Sequence, residues 1–218
     1  MKQNTTKLGF SILAAAFALG LAAPAFAQED VGMRTYPEPQ PWGLLGAGYG
    51  GAAFTYDHVS SSSPSEWRGF ALDYNLPLQA GLDFNLLYDW QRAENYLGRL
   101  TQQDAQAGVT AFAPLSWGKP FVQGLAGWGW RKGDANRDDS FKYTLGTGVE
   151  FHVASSWVLT PYVNFQRATS FNRSEFDYGV KTAYRLNRQW SLDAGVQYEA
   201  VMHAKDGVGY TLGVNYHY

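Results

Sequence analysis

The side chains that could do chemistry are few and scattered along the 218 residues. His58 precedes the serine run 60–63. A histidine and a serine can form an activated nucleophile if they meet at hydrogen-bonding distance and a third group orients the base. Serine-rich stretches between strands are also ordinary turns, so the sequence favours a solvated loop over a catalytic site here.

Two segments carry possible metal ligands. His152 lies two residues after Glu150, but no second histidine or carboxylate follows at a ligand-like spacing, which favours a hydrogen bond inside the fold. The stretch 134–139 (DANRDD) is rich in aspartate, yet it lacks the central glycine and final glutamate of a calcium-binding loop. Calcium on an external loop is the lesser alternative, and we predict no metal site.

Other classes of chemistry are excluded or weakly supported. The chain has no cysteine, which excludes thiol nucleophiles, disulfides and cysteine-ligated metals. Gly46, Gly48 and Gly50 lie in a glycine-rich stretch with no following helix to form a phosphate cradle, so we expect close strand packing there. A formal net charge of −2 gives no basic face for nucleic acid. We therefore predict no catalytic residue, no cofactor and no enzyme activity.

The first residues have the order of an export signal. Lys2 and Lys7 precede an apolar run from 8 to 23, and Ala25-Phe26-Ala27 follows as an A-x-A cleavage site. We predict a signal peptide at 1–27, a mature N-terminus at Gln28 and a proline-rich periplasmic leader at 28–42. The domain that folds is then 43–218.

That domain alternates apolar and polar residues with period two, which indicates strands with one apolar face. The pattern predicts an all-β fold of ten antiparallel strands at 43–56, 67–76, 81–92, 104–115, 120–131, 141–153, 157–168, 175–186, 190–201 and 207–218. Longer and shorter connections alternate between them, as in transmembrane barrels. We therefore predict a closed barrel whose N- and C-termini are both periplasmic.

The same alternation places charged residues in the lumen. They are Asp73, Asp83, Asp89, Arg131, Lys142, Glu150, Asp177, Lys181, Arg185, Asp193 and Glu199. Seven acids against four bases leave a negative excess in a narrow bore. Because isolated charges are costly to desolvate, they must pair with one another or be hydrated. Internal ion pairs that plug the barrel are our preferred interpretation.

The eight tryptophans support a membrane barrel over a soluble sandwich. Four of them (Trp42, Trp117, Trp157 and Trp190) fall beside the shorter connections, and four (Trp67, Trp90, Trp128 and Trp130) lie towards the longer ones. Two such groups are expected where aromatic side chains form girdles at the two membrane interfaces.

The C-terminal strand carries a resemblance to a known family. Its large residues stand at every second position and end on an aromatic: Tyr210, Leu212, Val214, Tyr216 and Tyr218. This stripe resembles the C-terminal β-signal of Gram-negative outer-membrane proteins of the OmpA/OmpX-like barrel superfamily. The resemblance implies recognition by the barrel-assembly machinery and residence among outer-membrane lipid and lipopolysaccharide. Barrels of that type usually have eight strands, which is the alternative to our ten.

Three functions remain after these exclusions. We expect a monomeric, non-catalytic barrel with a structural or surface-interaction role. The first alternative is a narrow porin-like channel, which the acidic excess would make weakly cation-selective. The second, less favoured, is a lipid-modifying outer-membrane enzyme.

Overall fold

A computed structural model describes residues 42–59, 65–95, 98–133, 137–170, 173–202, 204 and 206–218. The signal peptide and almost all of the leader that the sequence predicts lie outside these residues. Within the described part there is no helix long and apolar enough to cross a membrane.

Ten strands form one closed antiparallel barrel, in which each strand pairs with its neighbours in sequence and β1 pairs with β10. They are β1 Tyr49–Val59, β2 Ser65–Gln79, β3 Leu82–Asn95, β4 Gly98–Phe112, β5 Gly118–Lys132, β6 Arg137–Ala154, β7 Trp157–Ala168, β8 Arg173–Arg185, β9 Trp190–Val201 and β10 Gly207–His217. The prediction of ten strands is confirmed, and the eight-strand alternative is wrong.

Strand bounds differ from the prediction in two main respects. The first strand begins at Tyr49 instead of residue 43, and residues 42–48 are not part of the sheet. The connections predicted to be long are short, because the strands extend into them: β3 ends at Asn95 and β4 begins at Gly98. We call the end of the barrel that holds Tyr49 and His217 the terminus end, and the opposite end the distal end.

The barrel is polar inside and apolar outside. Its most buried side chains include Asp83, Glu150 and Asp177, each no more than 2% exposed. Large apolar residues such as Leu212 and Val196 are instead exposed on the outer face, at 65% and 46%. A water-soluble domain buries its apolar face, so this arrangement matches a barrel surrounded by lipid.

Two of the tryptophans assigned to the girdles lie elsewhere. Trp42 precedes the barrel, where its ring lies 5.9 Å from that of His217 and against a buried apolar cluster. Trp67 is paired with Asp57 in the β1–β2 register and lines the bore. Since directly paired residues point to the same side of a sheet, the two girdles hold three tryptophans each instead of four.

The facing of β9 gives a direct test of the lipid-exposed surface. Val196 is exposed and pairs with Val180 and Tyr210. We expect Val196→Arg to lower the free energy of unfolding by about 2–4 kcal/mol, the cost of an arginine at the membrane midplane. The measurement is urea unfolding in lipid vesicles, with Val196→Leu as the control that keeps the surface apolar.

The neighbouring Gly195 should respond for a different reason. A Cβ atom at this position would lie 2.6 Å from the hydroxyl of Thr211, inside the bore. Gly195→Ala should therefore destabilise by crowding, and the effect should be relieved by Thr211→Ala. A Val196→Arg barrel as stable as the wild type would show that the assigned facing is wrong.

Candidate functional site: the polar bore

The segment 42–48, which precedes β1, lies inside the terminus end of the bore. The N–H groups of Leu44 and Leu45 donate to Glu150 Oε2 of β6 at 2.7 and 3.2 Å. The N–H of Gly46 donates to Asp83 Oδ2 of β3 at 2.8 Å. Backbone donors without a sheet partner are thus satisfied by carboxylates that project from the barrel wall.

The wall also satisfies the carbonyl groups of this segment. Lys119 Nζ of β5 donates to the carbonyl of Leu45 at 2.7 Å, and Asn75 Nδ2 of β2 donates to that of Ala47 at 2.6 Å. Lys119 Nζ also lies 3.4 Å from Glu150 Oε1. Both charged side chains are at most 7% exposed. Both also hydrogen-bond to the backbone of the segment, which therefore lies between them and solvent.

Apolar contacts complete the attachment. Leu44 forms a buried cluster with Val158 of β7 and Ala183 of β8, and Trp42 packs against it. The Trp42 ring also lies beneath the guanidinium of Arg185, 5.8 Å from its carbon. Gly43 approaches Glu150 so closely that a Cβ atom there would overlap its carboxylate.

Together these contacts reach seven of the ten strands: β2, β3, β5, β6, β7, β8 and β10. A segment attached to one side of a barrel could touch only neighbouring strands. Residues 42–48 therefore cross the bore at its terminus end, and we call them the plug segment.

The charged residues assigned to the lumen fall into two groups in the structure. Asp83 and Glu150 hold the plug segment, and Lys181 Nζ lies 3.3 Å from Asp193 Oδ2 just above it. Asp73 is next to Asn215 beside Gly51. Arg185 lies over Trp42, and its Nε donates to the carbonyl of Asn187 at 3.0 Å.

The other predicted residues lie in the distal half. Lys142 Nζ donates to Asp104 Oδ2 at 2.9 Å, and Arg131 Nε donates to Gln102 Oε1 at 3.0 Å. Asp177 is buried and accepts a hydrogen bond from Gln166. Asp89 and Glu199 line a cavity of about 280 Å³ that fills this half of the bore.

Glutamine and acidic side chains dominate the cavity wall. The glutamines are Gln91, Gln102, Gln106, Gln123, Gln166 and Gln197, and the acids are Asp57, Asp89, Asp104, Glu175 and Glu199. Lys142 and Arg173 are the two lining bases within the described residues. Each of these bases is paired with an acid, Arg173 with Glu175 at 2.6 Å and Lys142 with Asp104.

Sequence reasoning missed several of these residues. Four of them lie within two residues of the ends of predicted strands, beyond which the alternation is not continued: Asp57, Lys119, Arg173 and Glu175. Asp104 is the first residue of the predicted strand 104–115, and the predicted alternation gives it no facing. The signal that could have found them is the two-residue alternation of each strand, continued beyond its last apolar residue.

The structure describes only part of the sites considered for the histidines and the aspartate-rich stretch. The serine run 60–63 lies outside the described residues, while His58 pairs with Glu66 in the β1–β2 register. His152 Nε2 lies 4.0 Å from Glu150 Oε1, and neither ring nitrogen has a hydrogen-bond partner among the described residues, so the expected hydrogen bond is not formed with them. Of the aspartate-rich stretch, residues 134–136 are not described, and Asp139 accepts a hydrogen bond from the Trp128 indole at 3.2 Å.

One serine–histidine contact does occur, at the terminus end. Ser191 Oγ lies 2.9 Å from His217 Nε2, and Asn215 Nδ2 lies 3.4 Å from the same hydroxyl. Ser191 is completely buried, and the rings of Trp42 and Tyr49 cover His217. A nucleophile must reach its substrate, so this arrangement fits a structural hydrogen bond that fixes β9 against β10.

The C-terminal aromatic stripe lies on the outer face. Tyr210, Leu212, Val214 and Tyr216 are all exposed. Tyr218 stacks on Tyr74 of β2 with ring centroids 5.7 Å apart, and its hydroxyl donates to the carbonyl of Asn75 at 2.9 Å. The side chain of the last residue thus reaches past β1 to β2. The pairing of β1 with β10 is the one that closes the barrel.

Solved structures share this architecture. An outer-membrane channel from Pseudomonas putida F1 superposes with a TM-score of 0.50 at 10% identity, over 84% of this chain and 100% of the other. The chain has an outer-membrane β-barrel fold. At this level of identity the likeness concerns the fold alone.

Two further structures are similar at lower scores. Ail, the attachment invasion locus protein of Yersinia pestis, aligns at 14% identity and a TM-score of 0.41, over 80% of this chain and 100% of its own. The translocator domain of the autotransporter NalP from Neisseria meningitidis aligns at 10% identity and 0.48, over 94% and 97%. Neither a protein-family profile nor a curated protein matches the sequence.

Proposed function

We propose that this chain is a non-catalytic, non-conducting barrel of the Gram-negative outer membrane, with the terminus end in the periplasm. Its role is to contribute to envelope structure and to present its distal end outwards. The observation that carries the proposal is the plug segment, whose contacts with seven strands lie across the terminus end of the bore.

The fold and the surface chemistry support the location. The outer face carries large apolar side chains, with Trp117, Trp157 and Trp190 near the terminus end and Trp90, Trp128 and Trp130 near the distal end. Such a surface suits outer-membrane lipid and lipopolysaccharide, and the terminal aromatic stripe suits the barrel-assembly machinery. We propose that the chain acts as a monomer.

The distal connections favour the bore over the loops as the functional surface. Between two and five residues join the strands at that end. Loops of this size offer little area for recognising another protein, since a standard interface takes about 800 Å² from each partner. The distal cavity is thus the feature through which such a barrel would meet its surroundings.

Planar-bilayer recording tests the proposal. The purified wild-type barrel should give no unitary current in 1 M KCl, because a porin needs a continuous water path and the plug segment interrupts it. The insertion control is a mixture with a general porin, whose currents should appear undiminished. Reproducible unitary currents from the wild type alone would contradict the closed bore and favour the cation-selective channel.

A further inference from the structure

The distal cavity has an excess of acidic side chains among its described lining residues. Five carboxylates and two bases line it, and the bases are already paired with Asp104 and Glu175. Asp57 accepts a hydrogen bond from Gln91 at 2.6 Å, and Glu199 accepts one from Gln197 at 2.8 Å. These two acids are therefore satisfied by neutral amides instead of ion pairs, and the wall keeps an excess of three acids.

Two acids of the wall, Asp57 and Glu199, lie on either side of β10, and Asp177 lies next to the second of them. Glu199 of β9 is directly paired with Asp177 of β8. Across β10, a Cβ atom on Gly209 would overlap Asp57, and one on Gly207 would come within 3.2 Å of Glu199. Because neither glycine has a side chain, these carboxylates have room to lie over β10.

Unused polar atoms also face this part of the bore. The Thr55 hydroxyl lines the cavity and has no hydrogen-bond partner among the described residues, although Thr55 is only 5% exposed. Asp177 Oδ1 is likewise unpartnered, in a residue that is 2% exposed. A buried polar group without a partner costs free energy. Asp177 is not among the lining residues, whereas a ligand that reached the Thr55 hydroxyl would gain a hydrogen bond that the described residues do not supply.

The remaining lining distinguishes between kinds of cation. Calcium takes six to eight oxygen ligands at short range, and the described residues contain no group of three acidic or histidine side chains placed to hold a metal. Part of the wall is apolar, with Ala71 and Leu87 on adjacent strands and Leu125 on β5. Apolar surface beside carboxylates suits an organic cation that has both methylene groups and charge.

Size and shape narrow the class further. A volume of about 280 Å³ is near the lower limit for small-molecule sites. The lining runs from Gln102 to Gln106 on β4, about 13 Å along the strand at ~3.3 Å per residue. This space is narrow and elongated, which favours a linear molecule over a sugar ring or a peptide.

We propose that the distal cavity binds a small linear alkylammonium ligand of the diamine or polyamine class. An ammonium group donates three hydrogen bonds, which Asp57, Glu199 and the neighbouring glutamine carbonyls can accept. The methylene chain lies against Leu87 and Leu125. This inference goes beyond the proposed closed bore, because a cavity in a bore that the plug segment closes at the other end can retain a ligand without transporting it.

Calorimetric titration with spermidine tests the proposal on the full barrel in lipid nanodiscs, where both ends are accessible. We expect saturable binding with one site. The double variant Asp57→Asn, Glu199→Gln should weaken it at least tenfold, because the shape is kept while two charges are lost. Glu66→Gln is the matched control, since Glu66 is exposed and paired with Arg68 at 2.8 Å outside the cavity.

No saturable heat with the wild type, or equal affinity in the double variant, would overturn the site. Tighter binding of calcium chloride than of spermidine at equal ionic strength would overturn the ammonium class. If the double variant fails to fold, a spermidine-dependent rise in the urea midpoint of the wild type, reduced in Thr55→Val, supports the site, and its absence overturns it. Bilayer currents do not enter this test, so it fails or succeeds independently of the closed bore.

Discussion

Glu150→Ala should destabilise the barrel strongly and open its bore. Glu150 is 1% exposed, accepts the N–H groups of Leu44 and Leu45, and lies beside the ammonium group of Lys119. Removing one partner of a buried ion pair leaves the other uncompensated, at a cost of about 3–5 kcal/mol. We expect a loss of that size in urea unfolding, and unitary currents in planar bilayers because the plug segment loses its anchor.

Two variants separate these effects. Glu66→Ala removes an exposed acid that is 48% accessible, so it should change the free energy of unfolding by about 1 kcal/mol or less. Gly43→Leu keeps every charge but collides with Glu150, so it should release the plug segment in a barrel that still folds. A Gly43→Leu barrel that remains silent in bilayers would contradict closure by this segment.

Tyr218→Asp should prevent assembly. The terminal ring stacks on Tyr74, and its hydroxyl reaches the carbonyl of Asn75, so Tyr218 contributes to the seam where β1 meets β10. A charge there removes the stacking and disrupts the terminal aromatic stripe. In lipid, an unpaired strand edge cannot hydrogen-bond to the solvent. We expect the variant to be missing from outer-membrane fractions as heat-modifiable, folded protein.

The conservative control is Tyr218→Phe. It keeps the ring and the stripe and loses one hydrogen bond, which is worth about 1 kcal/mol. It should therefore appear in the outer membrane at close to the wild-type amount. Normal folded Tyr218→Asp in that fraction would show that the last residue is dispensable for closure.

Much of the fold could be predicted because lipid and lumen impose opposite chemistry on alternate residues. In β10, Val208, Tyr210 and Leu212 face lipid while Gly209 and Thr211 between them face the bore, so the period is plain. In β1 the signal disappears. Gly50 and Gly51, followed by Ala52 and Ala53, put small residues on both faces, and the predicted start moved six residues too early.

The distal ends of the strands were predicted too short for a related reason. Beyond the lipid, both faces of a strand are polar, although the backbone pairing continues. Arg99 pairs with Glu94 of the neighbouring strand in this region, where the sequence favoured a loop. Alternation reports on the surroundings of a strand and does not report where its hydrogen bonding ends.

The plug segment lay beyond sequence reasoning because its partners are distant in the chain. Leu44 and Glu150 are 106 residues apart, and Gly46 and Asp83 are 37 apart. They meet because the register of the closed barrel brings β3 and β6 to the same level at one end. Read as a sequence, residues 43–48 (GLLGAG) differ little from a weak strand.

Amide hydrogen exchange at the plug segment tests the closed bore most directly. The N–H groups of Leu44 and Gly46 donate to buried carboxylates at 2.7 and 2.8 Å. In the refolded full-length barrel, NMR should find these two amides exchanging as slowly as amides in the middle of β9. Exchange at the rate of an unstructured peptide would show that residues 42–48 do not occupy the bore, and would contradict the closed bore.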